Sequence, residues 1–170
     1  MDAIKAILTK RDTRAYEPRP VEEDVLERVL TAGRMAGSAK NSQLTRIVVA
    51  TEQATRDALA GCGDFTGWIG SAPVVLVFVM PTDGGRLFDL GRMAQNVMLA
   101  AHALGLATCP VTFHHQDRMR ETIGLPDTHE GPMGVTLGYP VAAAPANPLR
   151  APRLALDELV HRERFRTTRS

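Results

Sequence analysis

Asp89-Leu90-Gly91-Arg92-Met93-Ala94-Gln95-Asn96-Val97-Met98-Leu99-Ala100-Ala101-His102-Ala103-Leu104-Gly105-Leu106 is the stretch on which the fold turns. Leu90, Met93, Val97, Met98, Ala101 and Leu104 recur at three- and four-residue steps, the spacing that gathers side chains on one face of a helix. The pattern predicts a helix from Phe88 to Leu106. Ala94, Ala100, Ala101 and Ala103 are small enough for neighbours to approach on more than one face. The segment therefore reads as a central helix and a candidate interface helix.

On either side of it the chain alternates between two periods. Ile47 to Ala50, Val74 to Val79 (bounded by Pro73 and Pro81), Thr108 to Phe113 and Met133 to Tyr139 (closed by Pro140) read as strands. Shorter helices are expected around Ile4, Ile7 and Leu8, and after Pro20 through Val25, Leu26, Val29 and Leu30, where Glu22, Glu23 and Asp24 suit the positive end of a helix dipole. Further helices are expected over Ala54 to Leu59, Met119 to Ile123 and Leu156 to Arg164. Together these elements predict one α+β domain over residues 1–170, a mixed sheet covered by helices, with an Ala- and Pro-rich connector at 142–153 and a C-terminal tail at 154–170.

Composition narrows the function. Lys and Arg number 20 against 19 Asp and Glu, so no charge surplus points to nucleic acid or an anionic membrane. The longest apolar stretch, Ala72 to Met80, is far short of the roughly 20 residues of a membrane span. No secretory signal is visible, and a cytoplasmic protein is expected. Cys62 and Cys109 are too far apart for C-x-x-C chemistry and read as buried free thiols.

Three segments could carry chemistry. In Lys10-Arg11-Asp12-Thr13-Arg14, guanidinium forks at a helix boundary suit phosphate oxygens, although a solvated charge run has the same composition. Gly37-Ser38-Ala39-Lys40-Asn41-Ser42-Gln43 is a loop of small and amide residues able to place donors against a planar ring. Pro110-Val111-Thr112-Phe113 leaves a buried strand where a backbone N–H could face a cleft. Other motifs fail: Thr66 stands where a dinucleotide fingerprint starting at Gly61 needs its third Gly. His114 and His115 are adjacent, with only Asp117 near them in sequence, and read as surface loop histidines. No nucleophile elbow or P-loop occurs.

Taken in order, the segments resemble the nitroreductase family over nearly the whole chain. The family's R-R-S-x-R-x-F run is matched by Lys10-Arg11-Asp12-Thr13-Arg14-Ala15-Tyr16, and its A-P-S-x-x-N-x-Q-P-W segment by Ala36 to Thr45. Its D-x-G-x-A-x-Q-N-x-x-L-A-A-x-x-L-G-L helix is matched by Asp89 to Leu106, and its L-G-Y-P strand end by Leu137 to Pro140. An arginine before L-x-E-x-V is matched by Arg153 before Leu156 to Val160.

The resemblance implies a homodimer formed through the long helix, with FMN in two equivalent interface clefts and the C-terminal tail packed at that interface. It implies NADH or NADPH as reductant, a small electrophilic acceptor such as a nitroaromatic or quinone, and ping-pong exchange. Hydride chemistry then belongs to the flavin, so no catalytic side chain is expected; the backbone of Thr112 or Phe113 would support flavin N5. The implied cofactor-binding set is Lys10, Arg11, Asp12, Arg14, Ser38, Ala39, Asn41, Gln43, Pro110, Val111, Thr112, Leu137, Gly138, Arg150 and Arg153. Arg11, Arg14 and Arg153 would converge on the phosphate and pyrimidine edge, and Ser38, Asn41 and Gln43 would reach the ring at least partly from the partner subunit. Two departures stand out. Asp12 replaces the common Ser, which suits a phosphate only if Arg11 or Arg14 neutralises it or if it accepts ribityl hydroxyls, and Leu44-Thr45 replaces Pro-Trp. Other flavin reactions on the same scaffold, or flavin binding without turnover, are the alternatives.

Overall fold

The computed structural model describes residues 1–141 and 152–165. The chain runs through α1 (Ala3–Thr9), α2 (Glu23–Arg34), β1 (Arg46–Ala50), α3 (Gln53–Ala60), β2 (Val74–Pro81), α4 (Leu87–Ala103), β3 (Ala107–Thr112), α5 (Gln116–Ile123), β4 (His129–Gly138) and α6 (Leu156–Leu159). The strands form one sheet in the order β1-β2-β4-β3.

Every named pair in that sheet is antiparallel: Arg46 opposite Val79, Val74 opposite Leu137, and Thr108 opposite Leu137 on its other side. The expected mixed sheet is therefore corrected to an antiparallel one. Its only parallel contact among the described residues is an isolated bridge from Asp12 to Thr108. Strand spacing alone does not set direction, because pairing partners here are separated by whole helices.

β2 explains why its sequence is apolar throughout. Val74, Leu76, Phe78 and Met80 face one side and pack with Leu26 and Val29 of α2 and Leu90, Ala94 and Val97 of α4. Val75, Val77 and Val79 face the other side and pack with Leu59 of α3 and Met119 of α5. A strand covered on both faces has no solvated side to carry polar residues.

α4 spans 17 residues, about 25 Å at the usual helical rise. α1 is capped by the Asp2 carboxylate, which accepts from Lys5 N at 2.9 Å. Only Ala6 of α1 is buried, leaving Ile4, Ile7 and Leu8 exposed. The last helix is shorter than expected, ending at Leu159 rather than Arg164, and Leu154, Leu156, Leu159 and Val160 are exposed. Most of the 142–153 connector lies outside the described residues.

Candidate functional site

β3 lies at a sheet edge, and the basic loop Lys10–Arg14 runs along it. Thr13 N donates to the Thr108 carbonyl at 3.2 Å. Below the loop, the buried Tyr16 hydroxyl donates to the Thr13 carbonyl at 2.8 Å and lies 2.6 Å from the Thr136 hydroxyl. Thr136 Oγ1 is in turn 3.1 Å from the Cys109 carbonyl. Desolvation pushes the Tyr16 phenol well above its usual value, so it stays a neutral donor at ordinary pH. One side chain thus ties the loop to β4 and β3.

The charged side chains of the loop divide their tasks. Lys10 pairs with Asp12 and also reaches Met98 Sδ at 3.5 Å. The carboxylate that replaces the expected Ser is therefore neutralised by Lys10, rather than by Arg11 or Arg14. Arg11 donates to the Leu8 and Lys10 carbonyls at 2.8 and 2.7 Å, at the C-terminal end of α1. Arg14 lies 4.9 Å from the centre of the Trp68 ring and close to the Cys109 thiol, whose pKa is raised by burial and drawn partly back by the neighbouring Arg14 guanidinium. Neither arginine is paired with a carboxylate among the described residues, so both charges remain available to an anion.

The two expected backbone donors are not equivalent. Phe113 N donates to the Pro132 carbonyl at 2.9 Å and is consumed by the ladder to β4. Antiparallel alternation then leaves Thr112 N–H on the outer edge of β3. The Thr112 carbonyl sits so close to Gly63 that a Cβ there would come within 2.7 Å of it. Of the neighbouring candidates, Pro110 has no N–H to offer and the Val111 side chain is buried. Leu137 and Gly138 do not reach this edge. β4 is an interior strand, Leu137 is in the core, and Gly138 packs against Pro73 and Tyr16.

The amide loop is built differently. Lys40, Asn41 and Gln43 have φ of 52°, 53° and 49°, in the left-handed region that costs an ordinary residue about 1–2 kcal/mol. Gln43 N donates to Ser38 Oγ at 2.9 Å and Ala39 N donates to Asp89 Oδ2 at 3.0 Å. Gln43 Nε2 reaches the Asn41 carbonyl at 3.4 Å. Asn41 and Gln43 are otherwise exposed.

These two groups contact different turns of α4. The amide loop is tied to Asp89 in the first turn of α4, whereas the basic loop touches Met98 near its last turns. Arg153 is exposed just before α6, and Arg150 lies outside the described residues. His114 and His115 do have a carboxylate, though one remote in sequence. Asp64 lies 2.9 Å from His115 Nε2 and 3.7 Å from His114 Nδ1. Both histidine N–H groups of the backbone donate to the Cys62 carbonyl, which brings the two loops together. No local pattern links Asp64 to position 114, so sequence spacing could not have found the pair. Among the described residues, no group of His, Cys, Asp and Glu is arranged to hold a metal ion, and no helix is long and apolar enough to cross a membrane.

A family model described as the nitroreductase family matches residues 7–61 and 66–139. The chain is 29% identical over 179 residues to an NADH dehydrogenase of Thermus thermophilus, covering 82% of this chain and 87% of that protein. It superposes on nitroreductase A of Vibrio parahaemolyticus with a TM-score of 0.87 at 28% identity, covering 99% and 79% of the two chains. On the NADPH:FMN oxidoreductase of Vibrio harveyi complexed with NAD+, the TM-score is 0.85 at 26% identity, with 98% and 79% covered.

Proposed function

This chain belongs to the nitroreductase family, and we propose that, as an NAD(P)H-dependent FMN oxidoreductase, it builds each of two equivalent active sites from both subunits of a homodimer. The observation that carries this reading is the separation of the two candidate loops along α4. A second copy supplies the missing half of each site. The exposed Ile4, Ile7 and Leu8 of α1, Leu87 and Phe88 of α4, and Leu156, Leu159 and Val160 at the C-terminal end provide apolar surface for that association.

The residues present fit FMN. The Arg11 and Arg14 guanidiniums have no acidic partner among the described residues, and Thr112 presents an outward N–H on β3, the strand that the basic loop meets at Thr108. FMN, when bound, supplies hydride transfer at its N5 position. Arg11, with Arg153, holds the phosphate, and Arg14 places positive charge at the pyrimidine edge of the ring. Lys10 keeps Asp12 neutralised so that this carboxylate does not repel the phosphate. Thr112 N–H, rather than Phe113 N–H, donates towards N5. Ser38, Asn41 and Gln43 of the partner subunit line the ring. The short connections from Pro81 to Leu87 and from Thr112 to Gln116 leave the outer face open. Nicotinamide and an electrophilic acceptor such as a nitroaromatic or quinone occupy it in turn, and solvent supplies the protons.

Complementation between subunits tests the assembly. Arg11→Ala/Arg14→Ala disables the basic loop, and Asn41→Ala/Gln43→Ala disables the amide loop. Each homodimer is expected to be defective. Random co-assembly yields heterodimers in which both lesions fall in one site and the other site is intact, so about a quarter of wild-type activity returns. A site built within one chain gives no recovery, and that result would refute the shared assembly.

A further inference from the structure

We propose that Asp64 and His115 are positioning residues: the clasp they close between the loops at 62–64 and 113–115 holds the Thr112 peptide so that its outward N–H stays aimed at the flavin. This rests on the oxidoreductase reading above and adds which side chains hold its donor in place. β3 ends at Thr112, and beyond Phe113 the ladder to β4 no longer fixes the chain.

The 62–64 loop takes over from the ladder. The Cys62 carbonyl accepts from His114 N at 2.9 Å and from His115 N at 3.0 Å. Gly63 lies against Thr112 itself, where a Cβ would come within 2.7 Å of the Thr112 carbonyl. Absence of a side chain at 63 is thus what lets the two backbones touch. Asp64 then closes the contact with its side chain, 2.9 Å from His115 Nε2 and 3.7 Å from His114 Nδ1, and its backbone N donates to His114 Nδ1 at 3.3 Å. His114 offers a lone pair at Nδ1, and His115 offers a proton at Nε2.

Exposure separates this clasp from a stability device. The three side chains are 41–53% exposed, and an ion pair or hydrogen bond so open to water adds little to folding. Its effect is local, on the backbone that it brackets. The far side of that backbone is held independently by Gln116, whose Nε2 donates to the Phe113 carbonyl at 3.0 Å. Thr66, 2% exposed, donates to the Ala60 and Gly63 carbonyls at 2.9 and 2.8 Å. That anchor keeps the other end of the loop, with Trp68 beneath Arg14, in place when Asp64 lets go. Opening the clasp therefore moves Thr112 and spares Arg14.

Potentiometric titration of the FMN-loaded protein tests this. An N–H aimed at N5 favours the oxidised ring, where N5 has a free lone pair, over the reduced ring, where N5 carries a proton. Asp64→Ala and His115→Ala should therefore each raise the potential, with a three- to tenfold change in the ratio of affinities for oxidised and reduced FMN, or about 15–30 mV for a two-electron couple. The double variant should move it no further than either single one. Asp64→Asn keeps an oxygen for His115 and should stay near wild type. In the flavin-free protein, the Ala variants should shift the Thr112 amide resonance and speed hydrogen exchange at His114 and His115. An unmoved potential in both Ala variants overturns the assignment and leaves the oxidoreductase intact. So does an Asn variant that matches Ala, because the charge of Asp64 and not its bond would then be acting. If the wild type holds no FMN, or neither NADH nor NADPH reduces it, the oxidoreductase reading falls and this one with it.

Discussion

The two ends of α4 hold their loops in opposite ways. Near its last turns the basic loop is fixed by the core: Thr13 bonds β3, Tyr16 reaches both Thr13 and Thr136, and Lys10 neutralises Asp12. At its first turn the amide loop is exposed, carries three left-handed residues that are not glycine, and is tied down through Ser38 and Asp89. The first region is finished within one chain, and the second has its polar groups and its strain facing outward. Strain that persists in an exposed loop marks a conformation kept for a task rather than for stability. In the proposed homodimer the preformed half grips the flavin and the strained half meets it from the neighbouring subunit.

The comparison breaks most visibly if the subunits are kept apart. Leu156 and Leu159 are exposed in α6, and burying a leucine contributes about 1.5–3 kcal/mol. Leu156→Asp combined with Leu159→Asp should therefore yield monomers in sedimentation equilibrium and loss of flavin on gel filtration. A double variant that remains a flavin-loaded dimer would show that the C-terminal tail is not at the interface.

A smaller effect distinguishes tasks within the finished half. Arg14 is placed by Trp68 and Cys109, whereas Arg11 is placed by the end of α1. If Arg14 serves the pyrimidine edge, its charge favours the reduced anionic ring more than the neutral oxidised one. Arg14→Ala should then lower the two-electron potential by about 30 mV, equivalent to about 1.4 kcal/mol, while much of the affinity for oxidised FMN survives. Arg14→Lys should recover most of the potential, since a point charge suffices there. An Ala variant that keeps its potential but sheds flavin would move Arg14 to the phosphate.

How much of this was legible in the sequence follows from the range of each interaction. The 3- and 4-residue spacing from Leu90 to Leu104 located α4 within a few residues, and the apolar run from Val74 located β2. Strand direction was not legible, because β2 pairs with β4 across nearly fifty residues of intervening chain. The candidate loops were visible as residue types, but which groups were already engaged was not. Phe113 N–H, Leu137 and Gly138 were lost to the ladder and the core, and Lys10 took Asp12. The strain in the amide loop was hidden because Lys40 and Gln43 are not residues that announce a positive φ.

That hidden strain supplies the finest test of the difference between the two loops. Glycine at position 40 or 43 removes a left-handed penalty of about 1–2 kcal/mol, but it also frees the unfolded chain at a cost of about 0.4–1 kcal/mol. Lys40→Gly and Gln43→Gly should therefore each raise stability in urea by about 0.5–1 kcal/mol, measured on the flavin-free protein so that binding does not contribute. Asn41→Gly should change little, because asparagine already tolerates this conformation. Thr13→Gly, made in the basic loop where φ is not positive, gains no such relief and should lower stability instead. The two glycine variants should bind FMN more weakly than wild type despite their greater stability, since a loosened loop must be ordered again when the site forms. If Lys40→Gly and Gln43→Gly destabilise the chain as Thr13→Gly does, the amide loop is not strained, and the contrast between the two ends of α4 reduces to one of exposure alone.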